Sequence, residues 1–305
     1  MREKALSAAC IAFIALLSIG PARADYLYAT LDVPGAVLTL ASGMSGNDVV
    51  GQYEDANGVY HGFLYNGTKY VTLNVPGASF TAAEDISGNN IVGYYKDSYG
   101  VNHGFLYNGS TYETLNPPGF FQTGAFDISG SSIVGYSKDF NDVYHGYIYN
   151  GNNYTPVNVP GASDTWAFGI SGSSIVGQYQ DANGVEHGFL YNGATYAALN
   201  APNALNTYAA GISGNNIVGF YENANGAYCG FLYNGATYAI LNVPGASNTW
   251  AQRISGSDIV GFYENANGAY YGFIAADPVP IPAGILLLAP GLAGLAALRR
   301  NYISR

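Results

Sequence analysis

Charged residues and cysteine are scarce in this sequence, and each shortage argues against a class of structure. Only 10% of the 305 residues are charged, whereas 41 are glycine and 28 are tyrosine. Because Glu, Lys and Arg favour helices, this composition disfavours a helical bundle and favours short strands joined by tight turns. Of the two cysteines, Cys10 lies in an apolar N-terminal run that we expect to be removed on export. Cys229 then has no partner for an internal disulfide.

Basic residues are scarcer still in the central part of the chain. Between Asp25 and Pro278, four basic residues stand against nineteen acidic ones, a net charge of −15. A surface of this sign repels phosphate backbones, which argues against a nucleic-acid partner. The sequence also lacks a Gly-x-Ser-x-Gly elbow, a phosphate-binding loop and a zinc motif.

The N-terminal segment has the features of a secretion signal. Arg2 and Lys4 precede an apolar run of 15 residues, and the small residues Ala22 and Ala24 suit a signal peptidase. We therefore expect residues 1–24 to be a signal helix that is removed on export. An N-terminal membrane anchor is the alternative, although the apolar run is short for a span.

One unit of 42 residues is repeated six times without insertion or deletion. The motif His61-Gly62-Phe63 recurs at this step, and Cys229 and Tyr271 replace its histidine in the last two units. The glycine of a Val-Gly pair keeps the same step, at Gly51, Gly93, Gly135, Gly177, Gly219 and Gly261. This periodicity predicts a repeat domain over residues 25–277.

Each unit contains four candidate strands. In the second unit, the first strand runs into Ile86-Ser87-Gly88, and the next three cover residues 91–95, 103–107 and 112–116. The third strand ends at an Asn-Gly pair, which is a strong hairpin signal. Four antiparallel strands in about 40–45 residues is the size of one propeller blade.

The two ends of the repeat array are complementary. Tyr28 begins a fourth strand with no first three strands before it, and the last unit stops near Ala276 without a fourth strand. In a closed ring, the N-terminal strand would complete the sixth blade and remove a free sheet edge. The sequence therefore predicts an all-β fold, a six-bladed β-propeller, with an open solenoid as the alternative.

The repeat resembles a known family of bacterial sequences. The unit Ile-Ser-Gly…Ile-Val-Gly…Asp-x-Asn-Gly…His-Gly-Phe-Leu-Tyr-Asn-Gly…Leu-Asn-x-Pro-Gly is similar to the HAF-type extracellular repeat over residues 28–276. It departs from that pattern at Cys229 and Tyr271, where the histidine is missing. The resemblance implies export and repetition, and it implies no reaction.

The C-terminal segment, residues 278–305, has a different composition. Val279-Pro280-Ile281-Pro282-Ala283 is followed by an apolar run to Leu298 and then by Arg299 and Arg300. As a helix, the 18 residues from Ile281 to Leu298 would be about 27 Å long, just enough for a transmembrane helix. The arginines would stay cytoplasmic, with the repeats outside.

This order of Pro motif, transmembrane helix and Arg cluster resembles the PEP-CTERM sorting signal, without the usual Glu between the prolines. The resemblance implies transient inner-membrane anchoring in a Gram-negative bacterium, recognition and cleavage by an exosortase, and a producer of exopolysaccharide. An ordinary tail anchor is the alternative.

The four histidines occupy a single repeat position, which argues against catalysis. A catalytic base needs a singular environment, whereas this position recurs and tolerates Cys229 and Tyr271. We interpret it as a site of strand packing or hairpin hydrogen bonding, and Cys229 as an inert thiol. The histidines are His61, His103, His145 and His187.

Acidic residues also recur at one turn position, as Asp55, Asp97, Asp139 and Asp181. Such side chains hydrogen-bond the backbone two residues on, so we expect a structural role, with weak Ca²⁺ binding as the alternative. A glycosidase needs two carboxylates about 5–10 Å apart. We expect no such pair among the non-repeated acids, which include Glu113, Asp142, Asp164 and Glu186. The sequence therefore predicts no catalytic residue. We also expect no metal and no cofactor.

One variable position carries large aromatic side chains in three consecutive units, as Trp166, Tyr208 and Trp250. Aromatic residues grouped on one propeller face could bind a glycan by stacking on sugar rings. Packing between blades is the alternative, because in a regular strand Trp166 and Ile170 would point the same way.

Export, a sorting tail and repetition without a unique polar cluster together predict a non-enzymatic protein of the cell surface or extracellular matrix. Its expected partners are exopolysaccharide and, during processing, signal peptidase and exosortase. A propeller hydrolase or lyase acting on glycans and a protein–protein scaffold are the alternatives.

Overall fold

A computed structural model describes residues 26–276, which form six four-stranded antiparallel sheets. The strands are β1 (Leu27–Leu31); β2 (Leu38–Ser45), β3 (Asp48–Glu54), β4 (Tyr60–Tyr65) and β5 (Tyr70–Leu73) in blade 1; β6 (Phe80–Ser87), β7 (Asn90–Lys96), β8 (Asn102–Tyr107) and β9 (Tyr112–Leu115) in blade 2; and β10 (Gln122–Ser129), β11 (Ser132–Lys138), β12 (Tyr144–Tyr149) and β13 (Tyr154–Pro156) in blade 3. They continue as β14 (Asp164–Ser171), β15 (Ser174–Gln180), β16 (Glu186–Tyr191) and β17 (Tyr196–Leu199) in blade 4; β18 (Asn206–Ser213), β19 (Asn216–Glu222), β20 (Tyr228–Tyr233) and β21 (Tyr238–Ile240) in blade 5; and β22 (Ala246–Ser255), β23 (Asp258–Asn265) and β24 (Tyr270–Ala276) in blade 6.

The N-terminal strand closes the ring. β1 pairs antiparallel with β24, with Leu31 opposite Gly272, and becomes the fourth strand of blade 6. Blade 6 also packs on blade 1, since Val260 lies in one core cluster with Ala41 and Phe63. The predicted six-bladed propeller, closed by its N-terminal strand, is confirmed, and the open solenoid is wrong. The strands of blade 2 match their predicted ranges to within one residue.

Each blade packs on the next through the side chains that the repeat preserves. The position of Phe63 is fully or almost fully buried in every blade and is occupied by an aromatic ring in all six, Phe63, Phe105, Tyr147, Phe189, Phe231 and Phe273. The Val-Gly glycine lies against this ring: a Cβ on Gly177 would stand 2.0 Å from the carbonyl oxygen of Trp166 and 2.8 Å from Phe189. Glycine is required there because no side chain fits, which explains its recurrence at every repeat.

A buried threonine fixes the loop that enters each blade. In blade 1, the Thr39 hydroxyl accepts a hydrogen bond from the backbone N–H of Val33 at 2.9 Å. The same bond joins Thr249 to Val243 in blade 6. The bond recurs in blades 2, 4 and 5, so the loops preceding the first strands are held in equivalent positions in five blades. In blade 3, Pro117 has no N–H to donate, and Thr123 accepts instead from the backbone N–H of Gly104 and donates to the carbonyl oxygen of Leu115.

The first strand of every blade is the innermost, and each contains a β-bulge. A Cβ on Gly43 would lie 2.5 Å from the Cα of Asp85, so the first strands of neighbouring blades approach closely at the axis. In blade 4, the bulge between Ala167 and Gly169 shifts the register. Trp166 and Ile170 therefore point to opposite faces, and the expectation from a regular strand is wrong.

Candidate functional sites

The axis of the propeller contains a polar cluster that the sequence analysis missed. One repeat position lines the axis in all six blades, where it is Gly43, Asp85, Asp127, Gly169, Gly211 and Arg253. Glycine at three positions leaves space at the axis, and Arg253 extends from blade 6 towards Asp85 and Asp127. The expectation that no unique polar cluster would be found is therefore wrong.

Arg253 holds this cluster together. Its Nε lies 3.7 Å from Asp127 Oδ2 and 4.0 Å from Asp85 Oδ1, and all three residues are buried. The guanidinium also donates to the carbonyl oxygens of Ala210, at 2.8 Å, and of Phe126. Each carboxylate accepts a backbone N–H from the following blade, as Asp127 does from Ile170 at 2.8 Å. These contacts join five blades, so the cluster serves to fix the ring.

Burial raises the pKa of two acids near Arg253, Asp85 and Glu84. Burial raises the pKa of Asp85 well above its usual value, and the neighbouring Asp127 carboxylate raises it further. Burial also raises the pKa of Glu84 to about 7, although Arg253 and a hydrogen bond with Ser42 lower it. The axis therefore carries more acid than base, and part of this acid is protonated near neutral pH.

The bulged strands place the predicted aromatic residues on a half-buried surface beside the loops and turns at one end of the blades. Trp166 packs on Tyr144 of blade 3, with ring centroids 4.7 Å apart. Trp250 contacts Tyr228 of blade 5 at 5.4 Å and Phe262 of its own blade at 5.0 Å. The rings of blades 5 and 6 thus form a continuous group, which we call the aromatic belt: Tyr208, Phe220, Tyr228, Trp250, Phe262 and Tyr270.

Carboxylate and amide groups lie beside the aromatic belt. Asn206 Nδ2 donates to Glu222 Oε2 at 2.6 Å, two residues before Tyr208 on the same strand. Asn248 and Glu264 repeat this bond at 2.5 Å, next to Trp250. Half-buried ring surfaces beside hydrogen-bonding oxygens suit a ligand with one apolar and one hydroxylated face.

Blade 4 brings together two of the non-repeated acids near Trp166. Gln180, on the middle strand, lies opposite Asp164 on one neighbouring strand and opposite Glu186 on the other. The Cα atoms of Asp164 and Glu186 are therefore two strand spacings apart, about 10 Å. Burial raises the pKa of Glu186, and the charge of Asp164 raises it further. Glu186 Oε2 is buried without a hydrogen-bond partner. Glu113 and Asp142 lie elsewhere, and Asp142 pairs with Lys138 at 2.8 Å.

The repeated histidines and aspartates form the same structural unit in four blades. His61 Nε2 lies 3.4 Å from Asp55 Oδ2, and its Nδ1 lies 3.1 Å from Asn74 Oδ1. Asp55 Oδ1 accepts the backbone N–H groups of Asn57 and Val59 at 2.8 and 3.0 Å. The bond from Val59 contributes most to lowering the pKa of Asp55, to about 2. The equivalent units contain His103 and Asp97, His145 and Asp139, and His187 and Asp181.

In blade 5 the histidine position is occupied by Cys229, whose Sγ accepts a hydrogen bond from Asn223 Nδ2 at 3.5 Å. Within residues 26–276, no three His, Cys, Asp or Glu side chains come together in a group able to hold a metal ion. No helix of that range is long and apolar enough to span a membrane. The predicted signal segment, with Ala22 and Ala24, and the predicted sorting tail lie outside the described residues. The tail residues are Val279, Pro280, Ile281, Pro282, Ala283, Arg299 and Arg300.

Comparison with known proteins adds evidence on the fold. No model of a known protein family matches the chain, and no curated protein matches its sequence. A fungal lectin from Aleuria aurantia, a six-bladed β-propeller with a fucose recognition mode, is similar with a TM-score of 0.52 and 15% identity, over 83% of this chain and 100% of that one. SapL1 lectin, solved with α-methyl fucoside, has a TM-score of 0.54 and 14% identity, over 81% and 98%.

A mutant of AofleA from Arthrobotrys oligospora matches with a TM-score of 0.54 and 13% identity, over 81% of this chain and 86% of that one. The chain shares its fold with six-bladed propellers. At these identities the likeness concerns the fold alone.

Proposed function

We propose that this chain is an exported, non-enzymatic glycan-binding protein of the cell surface or extracellular matrix, associated with exopolysaccharide. The aromatic belt carries the proposal, because its half-buried rings lie beside Glu222 and Glu264 at hydrogen-bonding positions. Aromatic faces stack on the apolar face of a sugar, and carboxylates accept its hydroxyl protons. The fucose-binding lectins among the similar structures support a glycan as the ligand of this fold.

The distribution of the rings supports a location for the proposed glycan site. The position of Trp250 is Tyr208 in blade 5 and Trp166 in blade 4, but Leu40 and Ala82 in blades 1 and 2. We therefore place the binding surface over blades 4 to 6. Several weak contacts along one polysaccharide would add through multivalency.

Substitution at this position tests the proposal. We expect Trp166→Ala and Trp250→Ala together to reduce retention on immobilised exopolysaccharide at least tenfold, because each removes a stacking surface. Leu40→Ala, the matched control at the same position of blade 1, should leave retention unchanged. Retention that persists in the double variant while the melting temperature falls would show that these rings only pack the blades.

The sorting part of the proposal rests on the HAF-type repeat and the PEP-CTERM-like tail, and it has its own test. Deleting residues 279–305 should move the protein from the envelope or matrix into the culture medium, because the exosortase would have no signal to recognise. A control that replaces only Arg305 should keep the normal location. An unchanged location after the deletion would refute sorting by the tail while leaving glycan binding intact.

A glycan hydrolase or lyase is a second candidate, favoured by the pair Asp164 and Glu186. The raised pKa of Glu186 beside a second carboxylate is the arrangement that a general acid requires. Glu186→Gln should then abolish release of reducing ends or unsaturated products from exopolysaccharide while leaving retention intact. Absence of products with the unmodified protein would refute catalysis.

A further inference from the structure

Blade 3 departs from the other five at a position that faces the repeated histidine. That position is tyrosine in the other blades, at Tyr53, Tyr95, Tyr179, Tyr221 and Tyr263, but Ser137 in blade 3. Where histidine is present, the tyrosine ring lies over it: the centroids of Tyr53 and His61 are 5.1 Å apart, and those of Tyr179 and His187 are also 5.1 Å apart.

Cavities lie beside this position in blades 3, 4 and 5. Those of blades 4 and 5 are lined by Tyr179 and Tyr221 and do not include the residue at the histidine position, whereas Ser137 leaves the blade 3 cavity open to the histidine. The cavity has a volume of about 350 Å³ and extends to His145, with walls that include Pro117, Phe120, Ser137, Tyr154 and Pro156. Phe120 takes the position of an alanine in all five of the other loops of this type but meets His145 only at the ring edge, at 5.5 Å and 61°. The His145 side chain is 28% exposed, compared with 19%, 21% and 23% for the three histidines that lie under a tyrosine. The face that tyrosine covers elsewhere is therefore accessible.

The polar groups around this cavity already have partners within the protein. His145 Nε2 lies 3.3 Å from Asp139 Oδ2, and Asn158 Nδ2 lies 3.2 Å from His145 Nδ1. The Ser137 hydroxyl donates to the carbonyl oxygen of His145 at 3.4 Å. A sugar needs several free hydrogen-bonding groups, whereas an aromatic ring needs apolar walls and a stacking partner. The cavity offers apolar walls and a stacking partner, as an aromatic ring requires.

The other blades also indicate whether the ring of a bound molecule needs a hydroxyl substituent. In blade 1, the Tyr53 hydroxyl shares a hydrogen bond of 2.9 Å with Thr72. Blade 3 has Pro156 at the position of that threonine, so it provides no equivalent partner for a ring hydroxyl. The preferred ring is therefore one that does not depend on a hydroxyl group.

We propose that the blade 3 cavity binds a small aromatic molecule, whose ring stacks on His145 in the place that a tyrosine occupies in the other blades. The cavity includes no residue of the aromatic belt, so this inference is independent of the glycan-binding proposal. A protein with both sites would bind aromatic compounds and glycans at separate places.

Fluorine NMR titration of the full chain tests the site, with 4-fluorotoluene and 4-fluorophenol as probes. We expect saturable binding of one equivalent of each probe, with dissociation constants within about threefold of each other, because no hydroxyl partner is present. Ser137→Tyr should cover His145 with a tyrosine ring, as in the other blades with a histidine, and weaken binding of both probes at least tenfold. Excess methyl α-fucoside should displace neither probe.

A gain-of-site variant guards against misfolding of Ser137→Tyr. Tyr179→Ser opens the equivalent space over His187 in blade 4 and should raise the stoichiometry from one to two. No saturable binding by the unmodified protein would overturn the proposal. So would unchanged binding in a folded Ser137→Tyr variant, or preferential binding of 4-fluorophenol by tenfold or more.

Discussion

The repeated outer part of the blades and the non-repeated axis handle charged groups in different ways. Near the outside, the contact between His61 and Asp55 recurs in four blades, and both side chains are partly exposed. At the axis, Asp85, Asp127 and Arg253 come from three blades, are buried, and occur once. The comparison indicates that the repeat builds the blades, whereas one departure from the repeat fixes them in a ring.

The largest effect is expected at the axis. Arg253→Met should lower the free energy of unfolding by about 3–5 kcal/mol, because it leaves the buried acid pair Asp85 and Asp127 without its cation and removes the hydrogen bonds to Ala210 and Phe126. Thermal unfolding should show a melting temperature lower by about 10 °C. Adding Asp85→Asn and Asp127→Asn to this variant should recover much of the loss, since the uncompensated charge is then removed. A melting temperature unchanged in Arg253→Met would refute the role of the cluster.

A smaller effect should appear as pH dependence. Glu84 has a pKa raised to about 7 in the folded protein. The folded state therefore holds this proton more tightly than the unfolded state, and stability falls as pH rises from about 4.5 through 7. Melting curves should show a smaller fall between pH 5 and pH 8 in Glu84→Gln than in the unmodified protein. Asp85 acts in the same direction, so part of the fall should remain. Parallel curves for the two proteins would contradict this assignment.

The smallest effect is expected in the outer part of the blades. His187→Cys reproduces the residue that blade 5 has naturally at Cys229, where Asn223 supplies a hydrogen bond. We expect the melting temperature to change by less than about 3 °C, because one of several equivalent and partly exposed units is altered. A loss as large as that of Arg253→Met would remove the distinction between the two regions.

Much of the fold could be predicted because it follows from the repeat. The 42-residue step predicted the four-stranded blade, and the unmatched strand at Tyr28 predicted that the N-terminal strand closes the ring. The axis could not be predicted in the same way, since Asp127 and Arg253 are far apart in sequence and meet only because the ring closes. The signal was nevertheless present: Arg253 is the only arginine in residues 26–276, and it occupies the repeat position of Asp85 and Asp127.

The β-bulge in the first strand of each blade is the second feature that could not be predicted from the sequence. No residue in the first strand of blade 4 indicates that Phe168 is inserted between paired positions, so alternation placed Trp166 on the wrong face. The pair of Asp164 and Glu186 was missed because they lie 22 positions apart in sequence and strand β15 lies between them. Contacts between first and third strands of one blade depend on register, which the periodicity alone does not provide.

The strand that completes the ring, β1, also determines how early during synthesis folding can be completed. β1 is among the first strands of the propeller to be synthesised, whereas its partner β24 is the last of the described strands. The pairing of β1 with β24, and the hydrogen bond between Thr30 and Tyr263, can therefore form only after the last repeat has been synthesised. Until then, the nascent array has an unpaired edge and an uncovered end, both prone to association with other chains. Completion of the last repeat is therefore the step that commits the polypeptide to its native state.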